Sequence, residues 1–124
     1  MIKGIDHITL TVKNLEVSRK FYENLLGKPV SGDPEHSCYD VNGGLFCIAL
    51  PPKEGFLNDK FDENRIGLDH FAFAVETIED LKSFEEKLRK LKVVTDGIEI
   101  DEYGNKHYIC FKDPDNIQIE FYLR

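Results

Sequence analysis

IDHITLTV, from Ile5 to Val12, recurs further along the chain as LDHFAFAV, from Leu68 to Val75. Both copies keep an Asp-His pair at the same point, and both end in valine. Continued without a gap, the same shift pairs further acidic and apolar residues, as far as Val30 with Val93. Because chance rarely keeps one register over such a length, the chain contains an internal duplication.

Each copy begins with a period-two strand and continues into a segment whose apolar residues recur at helical spacing. Asn14 and Thr77 stand just ahead of the two helices as N-terminal caps. Further strands follow: HSCYDV and LFCIAL around an Asn-Gly turn in the first copy, then VVTDGIEI, HYICFK and IQIEFYL in the second. The pattern predicts one α+β domain over residues 1–124, built from two tandem βαβββ modules. Module one covers 1–50, a polar linker 51–67, and module two 68–124.

The composition is that of an ordinary folded chain, with 41% hydrophobic residues, 31% charged residues and a net charge of −7. The acidic excess repels nucleic acid, and the basic residues between Lys82 and Lys92 are interleaved with acidic ones. No stretch approaches the ~18 apolar residues of a membrane span. Asp6 and His7 interrupt any signal-peptide core. We therefore expect a cytoplasmic protein with neither nucleic-acid nor membrane partners.

Three cysteines, Cys38, Cys47 and Cys110, form no CxxC pair and are odd in number. We expect neither a disulfide framework nor a thiolate zinc cluster, and three reduced, mostly buried side chains. By parity Cys47 and Cys110 can line the polar face of the sheet. A packing role is favoured there over catalysis, because no basic neighbour in sequence activates either thiol.

Side-chain parity places the polar residues of the strands. The larger apolar residues should face the helix of their own module, which puts His7, Thr9 and His70 on the opposite face. In the final strand, Glu120 and Tyr122 fall on that same face. If the sheet is concave, this face is a cavity that contains both histidines and the glutamate.

Two imidazoles and one carboxylate on a rigid sheet can bind one divalent ion of Fe, Mn, Ni, Zn or Co and leave coordination positions open. A substrate with two neighbouring oxygens could chelate the ion, which would act as a Lewis acid. A lone strand histidine is more often a hydrogen-bonded core residue, but the duplication favours metal ligation by His7 and His70. An unpaired Glu120 would be costly, and a metal or a Lys or Arg partner would relieve that cost. Three hydroxyl side chains are expected to reach the substrate as catalytic groups: Thr9, Tyr108 and Tyr122.

Together with GIDHITLTVKNLEVSRKFYENLLG (Gly4 to Gly27) and FKDPDNIQIEFY (Phe111 to Tyr122), the repeats resemble the vicinal oxygen chelate superfamily. This superfamily includes glyoxalase I, extradiol dioxygenases, fosfomycin-resistance transferases and bleomycin-resistance proteins. The resemblance implies a curved eight-stranded mixed sheet around a metal cavity. It places the family's three metal ligands on His7, His70 and Glu120. It also implies a homodimer whose site is shared across chains.

Glyoxalase I carries a fourth ligand on the strand that corresponds to LFCIAL, and the aligned position here is Ala49. This departure argues against an orthodox four-ligand glyoxalase I. It favours a three-ligand, metal-dependent lyase, isomerase, dioxygenase or thiol transferase acting on a small oxygenated substrate. The alternative is a metal-free protein of the bleomycin-resistance type that binds or sequesters a small molecule, and retention of all three ligands counts against it.

Overall fold

The computed structural model describes residues 1–124, and all its helices and strands belong to two units, Met1–Asp59 and Lys60–Arg124. The first unit contains β1 (His7–Thr11), α1 (Leu15–Leu26), β2 (Ser31–Gly32), β3 (His36–Asp40) and β4 (Leu45–Ala49). The second contains β5 (Phe71–Val75), α2 (Ile78–Lys90), β6 (Ile98–Ile100), β7 (His107–Lys112) and β8 (Gln118–Leu123). Each unit is βαβββ, so the duplication and the α+β class are confirmed.

The strands form two mixed sheets of four strands each, and neither sheet is closed. The first sheet has the order β1-β4-β3-β2 and the second the order β5-β8-β7-β6. In both, the first strand of the unit pairs in parallel with the last, and the remaining neighbours are antiparallel. The eight predicted strands are thus divided equally between two hydrogen-bonded sheets.

Both predicted helix caps are confirmed. The Asn14 side chain accepts a hydrogen bond from the backbone N–H of Val17 at 3.1 Å. Thr77 forms a capping box, in which its hydroxyl accepts from the Asp80 N–H and the Asp80 carboxylate accepts from the Thr77 N–H. Neither helix is long and apolar enough to cross a membrane.

One face of each sheet packs against the helix of its own unit. In the first unit the Tyr22 ring lies 4.9 Å from that of Phe46. In the second, Phe84 stacks on Phe121 with ring centroids 3.9 Å apart. Along β1, Leu10 is buried while Thr9 is exposed, as side-chain parity predicts, but Ile8, which parity places on the same side as Leu10, is exposed. We call the other side of each sheet its helix-free face.

Turn geometry fixes the ends of the strands. Asn42 and Gly43 have φ angles of 62° and 94°, the positive values that a two-residue hairpin turn between β3 and β4 requires. The Asp113 carboxylate accepts the backbone N–H of Asp115 and of Ile117, which closes the turn between β7 and β8. The stretch VVTDGIEI becomes a strand only from Ile98, because Gly97 adopts a φ of 81° and interrupts the extended backbone.

The predicted linker, 51–67, is divided at residue 60 between the two units. Its second part, residues 60–67, is hydrogen-bonded to the turn between β7 and β8. The Phe61 N–H donates to the Asp115 carbonyl at 3.1 Å, and the Asn116 side chain donates to the Phe61 carbonyl at 2.9 Å. Residues from Lys60 onward therefore pack as part of the second unit.

The expectation of three reduced cysteines is wrong for two of them. Cys38 on β3 and Cys47 on β4 stand directly opposite each other, with Cα atoms 4.1 Å apart, and form a disulfide. Directly opposed residues of an antiparallel pair bring their side chains close enough together for this bond to form. The odd count of cysteines gave no sign of this pairing, because hairpin register decides it. Cys110 on β7 is the free cysteine.

Candidate metal site

The helix-free face of the second sheet brings together two of the three predicted metal ligands. His70 immediately precedes β5, and Glu120 lies in the middle of β8, the parallel neighbour of β5. His70 Nε2 lies 3.7 Å from Glu120 Oε2. That distance is an ion-pair contact rather than a hydrogen bond, so both atoms keep lone pairs available for a metal when the imidazole is neutral.

Each predicted histidine ligand is held by the aspartate before it in sequence. His70 Nδ1 lies 2.5 Å from Asp69 Oδ1, and His7 Nδ1 lies 2.7 Å from Asp6 Oδ1. An ionised carboxylate only accepts, so in each pair the Nδ1–H donates and Nε2 is the nitrogen left for another partner. Metal-binding histidines are commonly oriented this way by a carboxylate on their second nitrogen. The Asp-His dipeptide that both copies keep is the sequence signal of this role.

The acidic side chain of Glu120 is largely buried, with only 14% of it exposed. Burial raises its pKa, nearby His70 lowers it, and Asp101 and Asp69 raise it. Its strand neighbours across the helix-free face are Ala72 and Cys110, neither of which supplies a positive charge. A divalent cation would offset this unfavourable carboxylate environment, so the donor set of His70 and Glu120 fits a metal.

His7 lies in the first unit, at the start of β1, with 59% of its side chain exposed. Thr9 lies two residues further along the same strand and is also exposed. No group of three or more His, Cys, Asp or Glu side chains converges in metal-ligand geometry. The structure thus pairs His70 with Glu120 and anchors His7 separately through Asp6, and the three-ligand site stays a prediction.

The two predicted catalytic tyrosines lie one row away from Glu120 on the second sheet. Tyr108 on β7 stands opposite Tyr122 on β8, and their rings stack at 5.9 Å. The Tyr122 hydroxyl donates to the Asp101 carboxylate, which raises the pKa of Tyr122 to about 12. A hydrogen bond to Glu99 raises the pKa of Tyr108. Both phenols therefore keep their protons at neutral pH and direct them toward carboxylates.

A pocket of about 330 Å³ in the second unit is lined by Tyr108 and by Asp101, the hydrogen-bond partner of Tyr122. Its walls combine carboxylates, two phenols and one aliphatic side chain: Glu99, Ile100, Asp101, Glu102, Tyr103 and Tyr108. Glu120 does not line it. The pocket is open to a small molecule beside the candidate metal site, and its acidic walls disfavour an anionic group there.

Strand register shows which residue of the first unit corresponds to Glu120. Thr9 on β1 stands opposite Cys47, and the corresponding Ala72 on β5 stands opposite Glu120. Cys47 is therefore the first-unit counterpart of Glu120. Ala49, which the sequence comparison aligns with the fourth ligand of glyoxalase I, pairs with Thr11 and corresponds to Tyr122.

Residues 4–121 match the model of the Glyoxalase/Bleomycin resistance protein/Dioxygenase superfamily, and the chain belongs to this family, the vicinal oxygen chelate superfamily that its motifs resemble. The metallothiol transferase FosB of Lysinibacillus sphaericus is 34% identical over 123 residues, covering 98% of this chain and 82% of that protein.

Two solved structures illustrate the likeness of the fold. A glyoxylase/bleomycin resistance protein/dioxygenase domain from Frankia sp. EAN1pec has a TM-score of 0.84 and 29% identity, covering 99% of this chain and 98% of that one. A mutant of the fosfomycin resistance protein FosX from Listeria monocytogenes has a TM-score of 0.74 and 25% identity, covering 98% and 90%. That structure is a complex with Mn(II) and 1S,2S-dihydroxypropylphosphonic acid.

Proposed function

We propose that the protein is a metal-dependent enzyme that acts on a small substrate with two neighbouring oxygens, using one divalent ion held by His7, His70 and Glu120. The observation that carries this proposal is the approach of His70 Nε2 to Glu120 at 3.7 Å, with Nδ1 of the same ring engaged by Asp69. The same Asp-His arrangement at His7 supports a third ligand of the same kind.

When bound, the ion would supply Lewis-acid stabilisation of negative charge on a substrate oxygen. The protein's own residues orient and enclose the reacting groups. Asp69 fixes the direction of the His70 ring, and Ala72 beside Glu120 leaves space on the sheet for a ligand. Thr9, exposed on β1, offers a hydroxyl that can hydrogen-bond to the substrate.

Tyr108 lines the pocket and Tyr122 stacks on it, and neither serves as a base. Tyr122 keeps its proton at neutral pH because its pKa is raised to about 12, and the pKa of Tyr108 is also raised. A general base should titrate near the working pH, which neither phenol does. We infer that these residues shape the substrate pocket and hold Asp101 and Glu99 in place.

Among the reactions of the family, we propose transfer of a thiol to the substrate. The 34% identity to a metallothiol transferase supports this choice over lyase, isomerase or dioxygenase chemistry. In such a transfer the thiol sulfur bonds to an electrophilic carbon, the carbon–oxygen bond breaks, and the released oxygen takes up a proton. A screen separates the three chemistries by pairing a thiol and an epoxide with Mn²⁺, a methylglyoxal-thiol adduct with Ni²⁺, and a catechol with Fe²⁺. The epoxide is tested both as anionic fosfomycin and as an uncharged compound, which the acidic pocket walls favour.

Calorimetric titration with Mn²⁺ tests the metal site. We expect one ion per chain for the wild type and loss of binding for His70→Ala and Glu120→Ala. His36→Ala is the matched control, because His36 also pairs with an aspartate, Asp33, at 2.8 Å but lies outside the proposed site. Equal binding by the wild type and the two site variants would overturn the enzyme proposal. A metal-free binding protein would then be the better description.

We also propose a homodimer in which His7 of one chain completes the site of the other. Mixing His7→Ala with Glu120→Ala protein tests this arrangement. After subunit exchange, half of the dimers carry both variants and one intact site each, so Mn²⁺ binding should recover to about a quarter of the wild-type sites. If all ligands come from one chain, or the protein is a monomer, binding stays absent in the mixture.

A further inference from the structure

The first sheet carries a sulfur pair where the second sheet carries the proposed metal-binding carboxylate. Cys47 is the counterpart of Glu120, and it is bonded to Cys38 on β3. In the second sheet, His70 stands just before one strand and Glu120 lies on its parallel neighbour. This placement brings His70 Nε2 to 3.7 Å from Glu120 Oε2. His7 and Cys47 have the same relation of strand and register in the first sheet.

The oxidation state of this pair decides what it can bind. Disulfide sulfurs are poor metal ligands, whereas a thiolate is a strong ligand for Zn²⁺ and Co²⁺. A small dithiol in solution can supply the two electrons and two protons of the reduction. The Cys38–Cys47 bond then breaks, two thiols form, and the dithiol closes to its own disulfide.

We propose that the Cys38–Cys47 disulfide is a redox gate on the metal centre. Reduction frees Cys47 to bind the ion as a fourth ligand beside His7, and its proton is released to solvent as the bond to the metal forms. In the oxidised protein the proposed ligands His7, His70 and Glu120 supply only nitrogen and oxygen atoms, which suit Mn²⁺. In the reduced protein Cys47 adds a sulfur ligand, which favours Zn²⁺. This inference rests on the proposed function, because it needs the metal centre to include His7.

Cobalt binding tests the gate with a readout that is independent of turnover. The disulfide is reduced with a trialkylphosphine and water, which give two thiols and the phosphine oxide. The redox state of the cysteines is then checked by titrating thiols in the denatured chain. One thiol, Cys110, is expected in the oxidised chain and three in the reduced chain. Reduced protein loaded with Co²⁺ should show a thiolate-to-cobalt absorption band in the near ultraviolet that the oxidised protein lacks. Reduction should also tighten Zn²⁺ binding by about tenfold or more.

Three single substitutions assign the ligand. Cys38→Ser should show the cobalt band without any reductant, since its Cys47 is already a free thiol. Cys47→Ser should show no band in either state, and Cys110→Ser, the matched control, should behave as the wild type. A band that persists in Cys47→Ser overturns the assignment.

The gate and the proposed function fail in different ways. If the reduced wild type binds Co²⁺ without the band, the gate is overturned and the three-ligand site stands. If neither redox state binds Co²⁺, both proposals are overturned. The wild type needs no substitution for this comparison, so it decides the question even where a variant fails to fold.

Discussion

The two sheets share one topology but differ in what their helix-free faces present. The second sheet presents Glu120 with Cys110 beside it, and the first presents the bonded pair Cys47 and Cys38 at the corresponding positions. Both keep the histidine with its aspartate partner. Both units have thus kept the histidine and its aspartate. The residue on the neighbouring strand is the carboxylate Glu120 in the second unit and the disulfide-bonded Cys47 in the first.

The difference separates the part of the repeat that builds the fold from the part that builds the site. On the helix side both sheets bury large apolar residues, such as Phe46 and Phe121, which are 2% and 1% exposed. On the helix-free side, chemistry differs between units although backbone pairing is the same. A substitution on the helix side should therefore change stability, and one on the helix-free side should change metal binding.

The largest stability effect is expected from Phe121→Ala. Phe121 stacks with Phe84 and Phe111, so its removal leaves a cavity and should cost about 3–5 kcal/mol of unfolding free energy. Chemical denaturation measures the loss. Phe56→Ala, at a residue 86% exposed, is the control and should change stability by less than about 0.5 kcal/mol. Equal effects of the two substitutions would contradict the assignment of Phe121 to the core.

Removing either aspartate anchor tests whether the two imidazoles have the same role. Asp69→Asn and Asp6→Asn should each weaken Mn²⁺ binding by about 10–100-fold, because each frees a ring that its carboxylate orients. Asp33→Asn, which disturbs the pair with His36, should leave the affinity unchanged. An effect of Asp69→Asn alone would limit the metal site to the second unit and remove His7 from it.

Glu120→Gln should stabilise the metal-free protein at neutral pH while abolishing metal binding. Burial raises the folded-state pKa of Glu120, so its contribution favours folding at low pH and is lost as the pH rises through that folded value. The amide of the Glu120→Gln variant carries no charge at any of these pH values, so the variant does not lose stability as the pH rises. The melting temperature should rise by roughly 2–4 °C at pH 7 and match the wild type near pH 3, where the carboxyl is protonated.

The exposed Glu102 supplies the matched control for this experiment. Because surface substitutions usually change stability by less than about 0.5 kcal/mol, Glu102→Gln should leave the melting temperature at pH 7 nearly unchanged and should retain metal binding. If Glu120→Gln instead destabilised the metal-free protein at pH 7, the carboxylate would have a structural partner, and the case for a metal there would weaken.

The smallest effect is expected from Tyr122→Phe. The hydrogen bond to Asp101 raises the pKa of Tyr122 to about 12, so ultraviolet titration of the tyrosines should lose the component near pH 12 in this variant. Mn²⁺ affinity should change by less than about twofold, since Tyr122 is not a proposed ligand. Tyr103→Phe, at a fully exposed residue, should leave the high-pH component in place.

Much of the fold follows from the sequence because two periodicities are visible in it. Alternation in the strands predicted which residues face the helix, as the burial of Leu10 beside exposed Thr9 confirms. Side-chain chemistry at the helix starts predicted both caps, Asn14 and Thr77. The two-residue strand β2 is too short to show any alternation, so it carried no signal of its own.

The site was only partly accessible from the sequence. Parity placed His70 and Glu120 on one face, and they lie 3.7 Å apart. The opposition of Cys38 and Cys47 depends on hairpin register, which the turn from Asn42 sets and the apolar pattern does not. The same register made Cys47 the counterpart of Glu120. An ungapped comparison of the two copies misses this, because their turns and connecting segments differ in length.

Anomalous diffraction from crystals grown with Mn²⁺ locates the ion itself. We expect one strong anomalous peak per chain, within bonding distance of His70 Nε2, a Glu120 carboxylate oxygen and His7 Nε2 of the same or a partner chain. A peak among Glu99, Asp101 and Glu102 instead, or no peak at these histidines and Glu120 despite saturating Mn²⁺, would rule out the three-ligand site.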